Sequence, residues 1–124
     1  MKRAFVFPGQ GSQAPGMGRE LAAAFPAARQ LFEEVDEALS QHLSRLMFDG
    51  PEGELKLTEN AQPALLAASL AVIRVLEADA GFDIMRQVAY VAGHSLGEYS
   101  ALAAARAVSV GEAVRLVKRR GQAM

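Results

Sequence analysis

Ser95 stands in Gly93-His94-Ser95-Leu96-Gly97, directly after the apolar run Val88-Ala89-Tyr90-Val91-Ala92. An apolar run closed by G-x-S-x-G predicts a strand that turns abruptly into a helix. Glycines flank the serine because the backbone passes too close to itself for side chains there. Such an elbow pushes the hydroxyl out at the carboxyl end of the strand, beside the Leu96 N–H and the first turn of the new helix, donors suited to holding an oxyanion. The chemistry on offer is nucleophilic attack on an acyl carbon. A tight turn that merely contains serine is the alternative, and the five residues alone do not separate the two.

A second loop follows the β-rich opening Lys2 to Phe7. Gly9-Gln10-Gly11-Ser12-Gln13-Ala14 satisfies the dinucleotide-binding pattern G-x-G-x-x-G/A. That fold needs a helix to start at the second glycine and an acidic residue to close a second strand. Here Pro15-Gly16 interrupts the first, and Glu33, Glu34 and Asp36 lie in a strongly helical stretch. The nucleotide reading is therefore disfavoured, and a glycine loop of purely structural purpose is the stronger competitor.

A third feature is a charge on an apolar face. At about 100° per residue, Val110, Ala113, Val114, Val117, Gly121 and Met124 share one side of a helix, with Glu112, Arg115, Arg119 and Gln122 opposite. Arg120 falls on the apolar side, between Ala113 and Leu116. A guanidinium placed there must reach water, pair with an internal carboxylate or face a cavity that receives an anion.

Composition narrows the classes. The chain has 124 residues, 51% of them hydrophobic, enough for one globular domain with a moderate core. Thirteen basic and fourteen acidic residues give a net charge of -1 without single-sign blocks, which argues against nucleic acid or an anionic membrane as partner. Without cysteine there is no disulfide frame and no thiolate nucleophile or metal site, which suits the cytoplasm. The apolar part of Lys2 to Phe7 is too short for a signal peptide. The stretch Ala64 to Ile73, broken by Arg74, falls short of the ~20 residues of a bilayer span, so no membrane segment is expected.

The elements that must position these residues read as follows. Lys2 to Phe7 is a strand; Arg19 to Phe25 and Ala27 to Leu43 are helical, the latter with Leu31, Val35, Ala38, Leu39 and His42 on one face. Asp49 to Gly53 is a turn cluster. A helix opens at Thr58 to Asn60, with Pro63 near its first turn, and is apolar all round from Ala64 to Ile73, as for a helix inside a layered domain. Val88 to Gly93 is the second strand, Glu98 to Arg106 the elbow helix, and Gly111 onward another helix. This order predicts an α/β domain with parallel strands flanked by helices, its ligands gathered where both glycine loops lie. Two strands do not complete a sheet, so residues 1–124 are expected to be one truncated domain, the front part of a longer protein.

Four segments in register, FPGQGSQ, TENAQPALLAASLA, GHSLGEYSAL and VKRRGQAM, make the chain from Phe7 to Met124 resemble the malonyl-CoA:acyl carrier protein transacylases. The resemblance implies an incomplete α/β-hydrolase-like large subdomain, with the family's ferredoxin-like small subdomain absent from this chain. It implies that Ser95 takes a malonyl group from malonyl-CoA and passes it to the phosphopantetheine thiol of an acyl carrier protein in fatty-acid synthesis, without a bound cofactor or metal. Gln10 matches the glutamine whose N–H joins that of Leu96 in the oxyanion hole. Arg120, which precedes the glycine of the family's RG pair, would clamp the malonyl carboxylate with two parallel hydrogen bonds. Gln62 is either a supporting polar residue of the pocket or a hydrogen-bonder at a helix start. Glu98 and Tyr99 read most simply as residues of the elbow helix, and their nearness to Ser95 keeps them as candidates to support it.

A serine nucleophile needs a general base, and the chain offers only His42 and His94. His42 reads as a helix-surface residue. His94 adjoins Ser95 at a turn where neighbouring side chains diverge, so packing or hydrogen bonding beneath the elbow is its expected role. The family's catalytic histidine lies beyond Met124, and residues 1–124 alone are expected to be inactive. Three alternatives remain: an acyltransferase domain of a polyketide or fatty-acid multienzyme, a serine hydrolase or thioesterase with water as acceptor, and a non-catalytic fragment. Met1 close before the first strand favours a free-standing enzyme over the first, and Arg120 counts against the second, having no task in a neutral-ester pocket.

Overall fold

The computed structural model describes residues 4–7, 11, 13–83, 90–93 and 96–124. Strand β1 (Ala4–Phe7) is followed by helices α1 (Arg19–Ala24), α2 (Pro26–Leu39), α3 (Leu43–Asp49), α4 (Glu52–Leu55) and α5 (Thr58–Asp79). Strand β2 (Tyr90–Gly93), α6 (Gly97–Ala104) and α7 (Val110–Ala123) complete the order. β1 and β2 pair in parallel, Ala4 opposite Tyr90 and Phe7 opposite Gly93, so both glycine loops leave the same end of the sheet. The expected α/β arrangement of parallel strands joined by helices is what forms.

α5 is the centre of the molecule. Ala61, Ala64, Leu66, Ala67 and Ala71 are fully buried, and α2, α6 and α7 pack around it. At 22 residues it is long and apolar enough to cross a bilayer, longer than the apolar stretch read from the sequence. Its neighbours explain that character instead: the faces it turns to α2, α6 and α7 are closed to water. One flank remains open. Val72 on α5 is 48% exposed and Val6 on β1 74% exposed.

Several boundaries differ from the sequence expectation. The single helix read over Ala27 to Leu43 is two, broken at Ser40, which takes a left-handed conformation at φ 50°. Asp36 accounts for the break: its carboxylate accepts from the Ser44 N–H at 2.9 Å and the Ser44 hydroxyl at 2.5 Å, holding the start of α3 against the end of α2. His42 accordingly leaves the α2 face and becomes the exposed residue before α3. The turn cluster is confined to Gly50-Pro51, and Glu52 to Leu55 form a single helical turn that seats Leu55 in the core. Pro63 lies in the second turn of α5 rather than the first, buried, where it withholds the N–H that would reach the Glu59 carbonyl.

The elbow helix runs from Gly97 to Ala104, not to Arg106, whose φ of 62° ends the segment. The last helix begins at Val110. Ser109 accepts from the Glu112 N–H at 3.1 Å while the Glu112 carboxylate accepts from the Ser109 N–H at 3.4 Å, a capping box that satisfies two donors at the helix start. The S-x-x-E signature was present in the sequence at Ser109 to Glu112.

Candidate functional site

Ser95, His94 and Gln10 lie outside the described residues; the structure places what surrounds them in the chain. Leu96 is fully buried and already helical, at φ -60° and ψ -22°, and its carbonyl accepts from the Tyr99 N–H at 3.0 Å. α6 thus begins immediately after Ser95. Leu96 provides the first carbonyl that this helix offers, taken by the Tyr99 N–H, so the N–H groups of Leu96, Gly97 and Glu98 precede any acceptor of the helix itself and form its positive end. Glu98 is exposed and Tyr99 half-buried. Ser100 is fully buried, and its hydroxyl has no hydrogen-bond partner among the described residues.

The first glycine loop does not lead into a helix at Gly11. Helix begins only at Arg19, and the intervening chain is tied elsewhere: the Gly16 N–H donates to the Met47 carbonyl at 2.8 Å, and the Arg19 guanidinium to the Phe48 carbonyl. Glu33, Glu34 and Asp36 all lie within α2. Both features that a dinucleotide site requires are missing from the described residues.

α7 has the helical phase expected of it except at Met124, which follows the helix and is 71% exposed. Ala113, Val114, Val117 and Gly121 are buried, whereas Arg115, Arg119 and Gln122 are exposed. Leu116 is 46% exposed, so Arg120 lies on the flank of the buried stripe rather than at its middle. Half-buried there, Arg120 donates from Nη1 to Gln62 Oε1 at 2.7 Å, and its guanidinium carbon stands 5.9 Å from the centre of the Tyr99 ring. Gln62 is fully buried; its amide nitrogen donates to Met124 Sδ at 3.0 Å. Both ends of the Gln62 carboxamide are therefore engaged by side chains of α7 and of Met124 directly after it.

The fold brings Arg120, from the last helix, against both Gln62, from the central one, and Tyr99, in the first turn after Ser95. These residues are 58 and 21 positions apart in the chain, and only the packing of α7 across α5 and α6 unites them. The guanidinium meets the Gln62 amide oxygen and the Tyr99 ring face, and both contacts fix its orientation. Such an arrangement suits an incoming carboxylate. Among the described residues no group of three His, Asp or Glu side chains is placed to hold a metal ion.

Comparison with known proteins identifies the family of the chain. Residues 4–124 match the family model described as acyl transferase domain. The malonyl CoA-acyl carrier protein transacylase of Bacillus subtilis is 53% identical over 123 residues, covering 99% of this chain and 37% of that protein. The crystal structure of acyl-carrier-protein-S-malonyltransferase from Bartonella henselae superposes with a TM-score of 0.96 at 57% identity, over 99% of this chain and 39% of that one. A malonyl-transacylase solved in complex with its type II polyketide synthase acyl-carrier protein superposes with a TM-score of 0.90 at 48% identity, over 98% and 38% of the two chains. The chain thus spans well under half the length of the relatives it matches.

Proposed function

The chain belongs to the acyl transferase domain family, and on that premise we propose that it serves malonyl transfer from malonyl-CoA to the phosphopantetheine thiol of an acyl carrier protein. Residues 1–124 are assigned to the amino-terminal part of a hydrolase-like large subdomain, the ferredoxin-like small subdomain belonging to chain outside them. Ser95 attacks the malonyl thioester carbon; the thioester C–S bond breaks, coenzyme A leaves as the thiol, and malonyl remains as an ester on Ser95. The carrier thiol then attacks that ester and restores the serine hydroxyl. N–H groups of Gln10 and Leu96 hold the oxyanion in both steps. The base that takes the Ser95 proton is neither His42, exposed before α3, nor His94, and is assigned to a histidine beyond Met124. No cofactor is required, since the thioester is already activated. The reaction is placed in the cytoplasm, with no nucleic acid or membrane as partner.

The observation that carries this reading is the position of Arg120. It is held on Gln62 at 2.7 Å and over the Tyr99 ring, beside the start of the helix that follows Ser95. A guanidinium there gives a dicarboxylic half-ester a partner for its free carboxylate, two parallel hydrogen bonds in a partly dry site. Hydrolysis of neutral esters gives it no task. The test is capture of the acyl-enzyme: after brief exposure of the complete protein to malonyl-CoA, a mass increase equal to one malonyl group should appear on the peptide containing Ser95. Ser95→Ala should abolish it. A malonyl adduct that persists in Ser95→Ala would refute the assignment of the nucleophile.

Use of the same chemistry to supply a polyketide carrier protein is the second reading, favoured by the relative solved with such a carrier. Transfer rates to carrier proteins of the two pathways, measured side by side, decide between them.

A further inference from the structure

α7 crosses the start of α5 at very short range. A Cβ on Gly121 would stand 2.6 Å from the Glu59 Cα and 2.7 Å from the Thr58 carbonyl oxygen, so the backbones touch where only hydrogen fits. Val117 and Gly121 form the line of contact, and at about 100° per residue Lys118 and Arg120 project to either side of it. Each reaches a polar side chain on α5. Arg120 Nη1 donates to Gln62 Oε1 at 2.7 Å, and Lys118 Nζ donates to Asn60 Oδ1 at 3.0 Å. Two residues along α7 correspond to two residues along α5, so the bonds are rungs of one ladder that straddles the crossing.

The Lys118 rung is braced from a third direction. Lys118 Nζ also donates to Gln41 Oε1 at 3.0 Å, and Gln41 Nε2 donates to Asn60 Oδ1 at 3.1 Å. Asn60 Nδ2 in turn donates to the Glu54 carbonyl at 3.0 Å. The ammonium is thus held by two neutral amide oxygens, which reward one placement of three elements and release little energy from charge pairing. A purely stabilising contact here would be served as well by an apolar side chain.

We propose that Lys118 is a positioning residue, which with Asn60 and Gln41 fixes the rotation of α7 on α5 and so holds the Arg120 guanidinium where it meets the substrate carboxylate. This rests on the reading of Arg120 given above. The leverage is large: a rotation of α7 by about 20° displaces a group about 6 Å from the helix axis by on the order of 2 Å. That displacement exceeds the tolerance of a bidentate hydrogen-bonded pair.

The experiment measures kcat/KM for malonyl and acetyl transfer from coenzyme A to a carrier protein, using the complete protein. Lys118→Met should lower the malonyl-to-acetyl ratio about tenfold, mostly through the KM for malonyl-CoA. Arg120→Ala should lower the ratio further, and adding Lys118→Met to Arg120→Ala should change it no more, because a positioning residue has nothing left to position. Gln41→Leu, outside both helices, should lower the ratio about threefold, and it decides by the same criterion if Lys118→Met does not fold. Equal losses for both substrates, an unchanged ratio, or additive losses in the double variant would overturn the inference. Collapse of the ratio in Arg120→Ala alone, with Lys118→Met and Gln41→Leu unaffected, overturns only the inference. An unchanged ratio in Arg120→Ala removes the carboxylate reading, and the inference with it.

Discussion

Gly121→Ala tests the close crossing of α7 on α5 because two effects of opposite sign compete in it. Replacing glycine by alanine within a helix ordinarily stabilises by about 1 kcal/mol, since glycine loses more backbone freedom on folding. Here the added Cβ meets the Glu59 Cα at 2.6 Å, the Glu59 nitrogen at 2.9 Å and the Thr58 oxygen at 2.7 Å, all of them backbone atoms that no rotamer change can move. Carbon atoms rest at about 3.5–4.0 Å, so the helices must part by about 1 Å. Overpacking of this kind costs about 1–3 kcal/mol, and α7 also loses contact along Val114 and Val117, so the net change should be a loss of about 1–2 kcal/mol. Gly111→Ala in the same helix is the control. Its Cβ meets only the guanidinium end of Arg115, nearest at 3.3 Å, an exposed side chain free to move aside. It should be neutral or stabilising by up to about 1 kcal/mol. Urea denaturation of the complete protein, comparing midpoints at unchanged slope, measures both. The same 1 Å of separation would part Arg120 from Gln62, so malonyl transfer should fall in Gly121→Ala and not in Gly111→Ala. A Gly121→Ala protein as stable as the parent or more so would refute the reasoning.

Three further outcomes are expected. Arg120→Ala should reduce the malonyl specificity constant by about 2–4 kcal/mol of transition-state binding, about 30- to 1000-fold, while acetyl transfer changes little; Arg120→Lys should recover part of the loss, and Arg119→Ala, exposed on the opposite face, should leave the malonyl-to-acetyl ratio intact. Ser109→Ala should cost about 1 kcal/mol by opening the capping box of α7, read as a lower urea midpoint, with Ser109→Asp close to the parent. Leu66→Ala, at a fully buried position of α5, should cost about 2–5 kcal/mol, whereas Val72→Ala on the open flank should cost under about 1 kcal/mol in the same titration.

What the sequence determined by itself is local. The strand before Ser95 and the helix after it follow from an apolar run closed by glycines, and the inward phase of Arg120 follows from periodicity within α7. Both are properties of a few consecutive residues, where backbone geometry sets the direction of each side chain. The break at Ser40 escaped the same reading because no glycine marks it. It depends on Asp36 folding across to Ser44, a contact that exists only once α3 has packed. Periodicity likewise gave the direction of Arg120 but not what lies in that direction. That Gln62 is its acceptor and Tyr99 its neighbour, and that Lys118 is gathered with Gln41 and Asn60, was decided by the crossing of α7 over α5. Those partners come from segments 21 to 77 residues away. The Gln62 contact of that arginine was decided where Gly121 lets the two backbones touch, because hydrogen-bond partners are selected by which surfaces packing brings together and a chain's local pattern carries no record of that choice.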